Sequence, residues 1–185
     1  MIRIDNYDFK DKRALIRVDF NVPLNEKGEV TDATRIEAAM PTIHKVLDGG
    51  GSVVLMSHLG RPKGEPNEKF SLKHIISTLK DKLGKEVEFA SDCIGDEAKK
   101  QSANLRPGQV LLLENLRFHN EETEGDEFFA GQLAEHGDCF VNDAFGTAHR
   151  AHASTTVVAK FFPTDKMFGL LLQNEIENMD HALYS

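Results

Sequence analysis

The sequence predicts an α/β fold, with one three-layer α/β/α domain built around a mainly parallel sheet of about six strands. Three observations carry the prediction. Short apolar runs alternate with segments of helical periodicity, as strand–helix–strand units require. Most of those runs are continuously apolar rather than alternating, as in strands covered on both faces. The polar motifs follow directly on the strands, where open parallel sheets place their ligands.

Along the chain, "ALIRV" (14–18) reads as the first strand, and residues 36–47 as a helix with apolar positions at 36, 39, 40, 43, 46 and 47. "DGGGS" (48–52) follows that helix and precedes the strand "SVVLM" (52–56). It therefore reads as a helix stop and tight turn, because a phosphate-cradling loop needs the reverse order. Ser71 starts a second helix with the stripe Leu72, Ile75, Ile76, Leu79 and Leu83, and Gly84 ends it. "EVEF" (86–89), "VLLLE" (110–114) and "CFVND" (139–143) are further strands, and "FFAGQLAEH" is a shorter helix that contains Gly131. "NEETEGDE" (120–127) reads as a solvated acidic loop. The last segment carries Leu172, Ile176, Met179 and Leu183 on one helical stripe. It docks on its own domain or once led into a further one.

The 185 residues suit one well-filled core, and 40% hydrophobic with 28% charged residues is an ordinary globular composition. A net charge of -8 argues against a nucleic-acid or anionic-membrane surface, but it leaves room for a local basic pocket. Cys93 and Cys139 fit no disulfide framework or C-x-x-C motif. The start "MIRIDNYDFKDKR" has no apolar signal region, and no run approaches 18 apolar residues. The expectation is a cytoplasmic protein with neither nucleic acid nor membrane as partner.

The functional signal lies in where the polar residues fall. "RVDFNVP" puts Arg17, Asp19 and Asn21 at the end of the first strand, and "SHLGRP" puts His58 and Arg61 after the second. "ENLRF" puts Arg117 after the "VLLL" strand, and "NDAFGTAHRAH" puts Asp143, His149 and Arg150 after the "CFV" strand. With Arg35 of "TDATR", five of the eight arginines gather at one rim. Guanidinium groups bind phosphate and carboxylate oxygens bidentately, so the convergence specifies a small, multiply anionic ligand. Arg17, inside a strand, reads rather as a structural ion-pair partner, and Arg3, Arg13 and Arg106 as surface charges. His149-x-x-His152 with Asp143 lacks a third spaced ligand and is not read as a metal site. His44, His74, His119, His136 and His181 receive no role.

"RVDFNVP", "TRIEAAMPTI", "SHLGRPKG", "LLLENLRF" and "NDAFGTAHRAHAS", in this order and across nearly the whole chain, resemble the N-terminal half of the phosphoglycerate kinase family. The resemblance implies a two-domain kinase with a Rossmann-like sheet in each half. Residues 1–185 would then be the N-terminal substrate domain, with the nucleotide-binding C-terminal domain absent from this chain. It implies binding of 3-phosphoglycerate or 1,3-bisphosphoglycerate through Asp19, Asn21, Arg35, His58, Leu59, Gly60, Arg61, Arg117 and Arg150. In this reading Arg61, Arg117, Arg150 and His58 clamp the 3-phosphate, with His149 supporting the basic patch. Asp19 and Asn21 meet the hydroxyl and carboxylate end, and Arg35 is the catalytic arginine beside the transferring phosphoryl group. Mg²⁺ with ATP or ADP belongs to the absent domain, and no metal belongs to this one. The full-length family member is expected to be a monomer.

The residues agree with such chemistry. A carboxylate acceptor is already ionised at neutral pH, so phosphoryl transfer to it needs positioning and charge stabilisation rather than a general base. Two other readings remain. One is a small-molecule phosphatase using Asp19, although the second aspartate it would want two residues on is Asn21. The other is an anion-sensing or scaffold module without turnover.

Overall fold

In a computed structural model of the chain, residues 1–144 and 151–184 are described, with side chains in the last helix described as far as residue 180. Six strands form one sheet: β1 (Arg13–Arg17), β2 (Ser52–Met56), β3 (Glu88–Ala90), β4 (Val110–Leu113), β5 (Cys139–Asn142) and β6 (Lys166–Phe168). Their order across the sheet is β3-β4-β2-β1-β5-β6, and every neighbouring pair is parallel. The central strands β1, β2, β4 and β5 are almost wholly buried, which is why they read as unbroken apolar runs.

Two apolar layers follow from the two-residue strand period. Ala14 and Ile16, with Val53, Leu55 and Leu112, face α1 (Thr34–Ala38), α2 (Met40–Asp48) and α3 (Ile76–Leu83). Leu15, with Val54, Met56, Leu111 and Phe140, faces α4 (Asp96–Ala103) and α6 (Glu127–Ala134). Arg17 shares the parity of Leu15. It therefore points toward the second layer, where the one-turn helix α5 (Glu121–Glu124) sits.

Where helix and strand ends differ from expectation, the causes are local. The helix expected over 36–47 is two helices that meet at Ala39. Pro41 has no amide proton with which to continue the ladder begun at Thr34. Ser71 caps a 3-10 turn, Leu72–Ile75, before α3 begins, and Gly84 closes α3 in the left-handed region at φ 67°. The 48–52 stretch is the helix stop and turn expected, with Gly49 capping α2 and Gly50 at φ 90°. Residues 120–127 are not a solvated loop: they form α5 and the Asp126 cap of α6, and Glu122 is fully buried. Arg13 is not a free surface charge either, since its guanidinium donates to the carbonyls of His136 and Ser102 at 3.1 and 3.2 Å.

The last helix, α7 (Leu170–Tyr184), starts docked and leaves the domain along its length. Leu172 is buried, Ile176 half-buried and Met179 52% exposed, and the Leu183 side chain lies outside the described residues. Among the described residues, no helix is long and apolar enough to cross a membrane.

Candidate functional site

Because the sheet is parallel, the segments that follow β1, β2, β4 and β5 emerge at one end. The expected residues from the first three of these segments lie there; hydrogen bonds join the motifs through Asn21 and Asn115, and Arg61 shares a cavity with Arg117. His149 and Arg150 lie outside the described residues.

After β1, the Asp19 carboxylate accepts from the Asn21 amide at 3.1 Å and from Arg35 at 3.3 Å. Arg35, at the start of α1, also donates to the Asn21 carbonyl at 2.9 Å while keeping about half its side chain in solvent. The Asn21 side-chain oxygen accepts from the Gly60 amide at 2.9 Å, which joins the first motif to the second. Gly60 stands at φ 62°, and a Cβ there would come within 2.4 Å of the Phe70 ring. Only glycine fits that turn.

Asn115 joins the second motif to the third. Its amide donates to the carbonyls of Leu59 and Phe70 at 2.7 and 2.9 Å, and its oxygen accepts from the amides of Leu59 and Arg117 at 3.2 and 3.0 Å. The last of these bonds caps the 3-10 turn Leu116–Phe118, which carries Arg117. Arg61 and Arg117 together line a cavity of about 230 Å³ with Lys63 and His119. A neighbouring hollow of about 550 Å³ shares Asn21, Leu59 and Gly60 and is floored by Phe70. A further cavity, about 780 Å³ between α4 and α6, contains none of the expected residues.

Beneath the rim lies a buried polar chain. The Arg17 guanidinium, with no exposed surface, donates to the Ser154 hydroxyl at 2.8 Å, to His58 Nδ1 at 3.0 Å and to the Val18 carbonyl. Ser154 in turn donates to the Glu122 carboxylate through its hydroxyl at 2.5 Å and its amide at 2.9 Å, and Glu122 stands 4.0 Å from Arg17. Arg17 is thus the ion-pair partner expected. Burial pushes the His58 imidazole down to about 2, helped by the positive charges of Arg17, Arg117, His152 and Arg35. His58 is therefore neutral at any physiological pH, in a field set by the rim's own cations.

Reasoning from sequence missed Asn115, Ser57 and Glu114, although each stands inside a quoted motif. The Ser57 hydroxyl accepts from the Phe20 amide at 2.9 Å, and Glu114 accepts from the Ser71 hydroxyl and the Leu72 amide at 2.7 and 2.8 Å. Polar residues beside a strand end could have signalled such ties. Among the described residues, one trio has potential metal-ligand atoms within 4.8 Å of one another: Asp92, Cys93 and His119. There His119 is hydrogen-bonded to Asp92 at 2.8 Å, and burial pushes the Cys93 thiol well up, so a hydrogen-bonded pair beside a buried thiol accounts for the arrangement.

Comparison with known proteins bears on the family and the fold. The family profile described as phosphoglycerate kinase matches residues 4–185. The phosphoglycerate kinase of Moorella thermoacetica is 53% identical over 182 residues, covering 98% of this chain and 46% of that protein. That of Borrelia duttonii is 55% identical over 180 residues, covering 97% and 45%. The solved structure of phosphoglycerate kinase from Coxiella burnetii superposes with a TM-score of 0.88 at 37% identity, covering all of this chain and 45% of that one. The structure from Pyrococcus horikoshii OT3 gives 0.89 at 34% identity, again over all of this chain and 46% of the other. The chain spans about half the length of the relatives it matches, and it belongs to the phosphoglycerate kinase family.

Proposed function

We propose that residues 1–185 are the N-terminal, acceptor-binding domain of a two-domain cytoplasmic phosphoglycerate kinase, holding 3-phosphoglycerate or 1,3-bisphosphoglycerate for reversible phosphoryl transfer. The observation that carries the reading is the shared cavity of Arg61 and Arg117, two guanidinium groups from different strand ends. Such a pair suits a phosphate, with Arg150 and His149 as further donors, Leu59 and Gly60 as the adjoining backbone, and His58 as a neutral one. Asp19 and Asn21 would meet the hydroxyl and carboxylate end of the acceptor.

In the forward direction an acceptor carboxylate oxygen attacks the γ-phosphorus of ATP, its new bond to phosphorus forms, and the bond to the ADP oxygen breaks. The carboxylate is already ionised at neutral pH, so no proton needs to be removed from it. Arg35 is then the catalytic residue, stabilising charge on the transferring group. Its present contacts with Asp19 and the Asn21 carbonyl hold it at the site with half its surface free. The donors of this rim are mostly cationic and suit an anion rather than Mg²⁺. The magnesium nucleotide would be held by the half of the family's proteins that this chain does not span, and this chain alone should not turn over at an enzyme's rate. The phosphatase reading is weakened because Asp19 is engaged by Arg35 and the Asn21 amide rather than free to attack.

Calorimetric titration tests the assignment. 3-Phosphoglycerate should bind and glycerate should bind far more weakly, while Arg61→Ala and Arg117→Ala each cost roughly tenfold or more in affinity. Equal affinity for 3-phosphoglycerate and glycerate would remove the phosphate clamp.

A further inference from the structure

We propose that Glu122, acting through Ser154 and Arg17, is a positioning residue for the acceptor site, holding His58 as the tautomer with a bare Nδ1 and its proton on Nε2. The proposal rests on the acceptor-binding reading for its functional consequence, but not for the tautomer.

The proton inventory of the buried chain leaves one solution. A guanidinium has donors only, so at 3.0 Å from Arg17 the Nδ1 of His58 must accept and carries no proton. A neutral ring then has its proton on Nε2. The Ser154 hydroxyl has one proton. It accepts from Arg17 Nε at 2.8 Å, so that proton goes to Glu122 at 2.5 Å. The second Glu122 oxygen accepts the Ser154 amide at 2.9 Å. The Arg17 Nε and the Ser154 hydroxyl and amide all donate toward the carboxylate, while the other two Arg17 nitrogens turn to His58 and to the Val18 carbonyl. All four residues are buried.

Two consequences follow. Arg17 is held as a buried cation by Glu122, so removing that charge frees the guanidinium to reorient and with it the imidazole. The neutral ring also offers the rim a hydrogen-bond donor without a further desolvated charge. Glu122 additionally fixes, through the Ser154 amide, the segment that follows residue 150. One carboxylate from a stretch that reads as a solvated acidic loop thus ties the end of β1 to the segment that follows residue 150.

The test is ¹⁵N NMR of the His58 ring in this chain, together with calorimetry using 3-phosphoglycerate. Wild type should show a bare Nδ1 and a protonated Nε2 across about pH 5 to 8. Glu122→Gln and Ser154→Ala should each yield mixed tautomers and weaken 3-phosphoglycerate binding roughly tenfold. Ser154→Thr keeps the hydroxyl and should restore both. Leu133→Ala, in the same layer but outside the chain of hydrogen bonds, should lower stability and leave tautomer and affinity unchanged. If Glu122→Gln does not fold, the Ser154 pair decides. A protonated Nδ1 in wild type, or Ser154→Ala with an unaltered tautomer and affinity, would overturn the proposal. A bare Nδ1 in a wild type that fails to bind 3-phosphoglycerate would instead sink the acceptor reading and leave the positioning of His58 in place.

Discussion

Replacing Asn115 by alanine should uncouple two of the three motifs that form the rim. The side chain makes four hydrogen bonds, and those to the amide and carbonyl of Leu59 are fully buried. The bonds to Phe70 and Arg117 are nearer the surface, and water can replace them at little cost. Two buried backbone groups left without partners cost about 1–3 kcal/mol each, giving a destabilisation of roughly 2–6 kcal/mol. For a domain of this size each kcal/mol lowers the melting temperature by about 2–4 °C, so the expected fall is on the order of 10 °C. Asn115→Asp keeps the acceptor and removes the donor, so it should lose comparable stability although its shape is unchanged. Thermal unfolding followed by circular dichroism gives the first number, and titration with 3-phosphoglycerate gives the second. Affinity should fall as well, because Asn115 sets the spacing between Leu59–Arg61 and Arg117. A melting temperature within about 2 °C of wild type, with unchanged affinity, would refute the bridging role.

Gly60→Ala should cost roughly 2–5 kcal/mol, from a side chain at positive φ and a Cβ against the Phe70 ring, and should abolish binding; near-wild-type unfolding in urea would contradict the geometry. Asp143 is buried under the start of α7, and burial pushes its carboxyl up from 3.8 to about 6, against the Thr42 hydroxyl and the Leu172 and Leu171 amides that favour the charge, with Glu175 raising it further. A raised folded-state value means the folded form binds the proton more tightly. The contribution to stability is therefore full below about pH 4 and is lost as pH rises through 6, by roughly 3 kcal/mol. Asp143→Asn should erase this part of the decline in denaturant-unfolding free energies measured from pH 4 to 7, and a wild-type-to-variant difference that stays constant across that range would contradict it. On α7, Leu172→Ala should cost about 2–5 kcal/mol and Met179→Lys less than about 0.5, because only the first is buried. A large loss from Met179→Lys would mean the exposed end of the helix is covered in solution.

Much of the fold was legible because its central strands are covered on both faces. "SVVLM" could be assigned residue for residue, since nothing within it alternates. The elements that escaped lack such a signal: β6 is three residues at the sheet edge, and α4 buries only Ala98 and Ser102 of a polar helix. The placement of His58, Arg61 and Arg117 at one sheet end was legible because positions directly after strands are set by the parallel topology. The site's internal ties were not. Glu122 stands among acidic neighbours that are solvated, and only the parity of Arg17 on β1, followed to α5, shows why this one carboxylate is buried. Asn115 was hidden for a related reason, since its partners are backbone groups that no side-chain pattern records.

The most direct test of the central claim, that one rim built from three strand ends is an anion site, is amide chemical-shift mapping of this chain with 3-phosphoglycerate. Shifts should concentrate at Asn21, Leu59, Gly60, Arg61 and Arg117 and leave the cavity of Asp96, Phe128 and Phe161 silent. Shifts centred on that second cavity, or absent from the Arg61 and Arg117 loops at saturating ligand, would contradict the account.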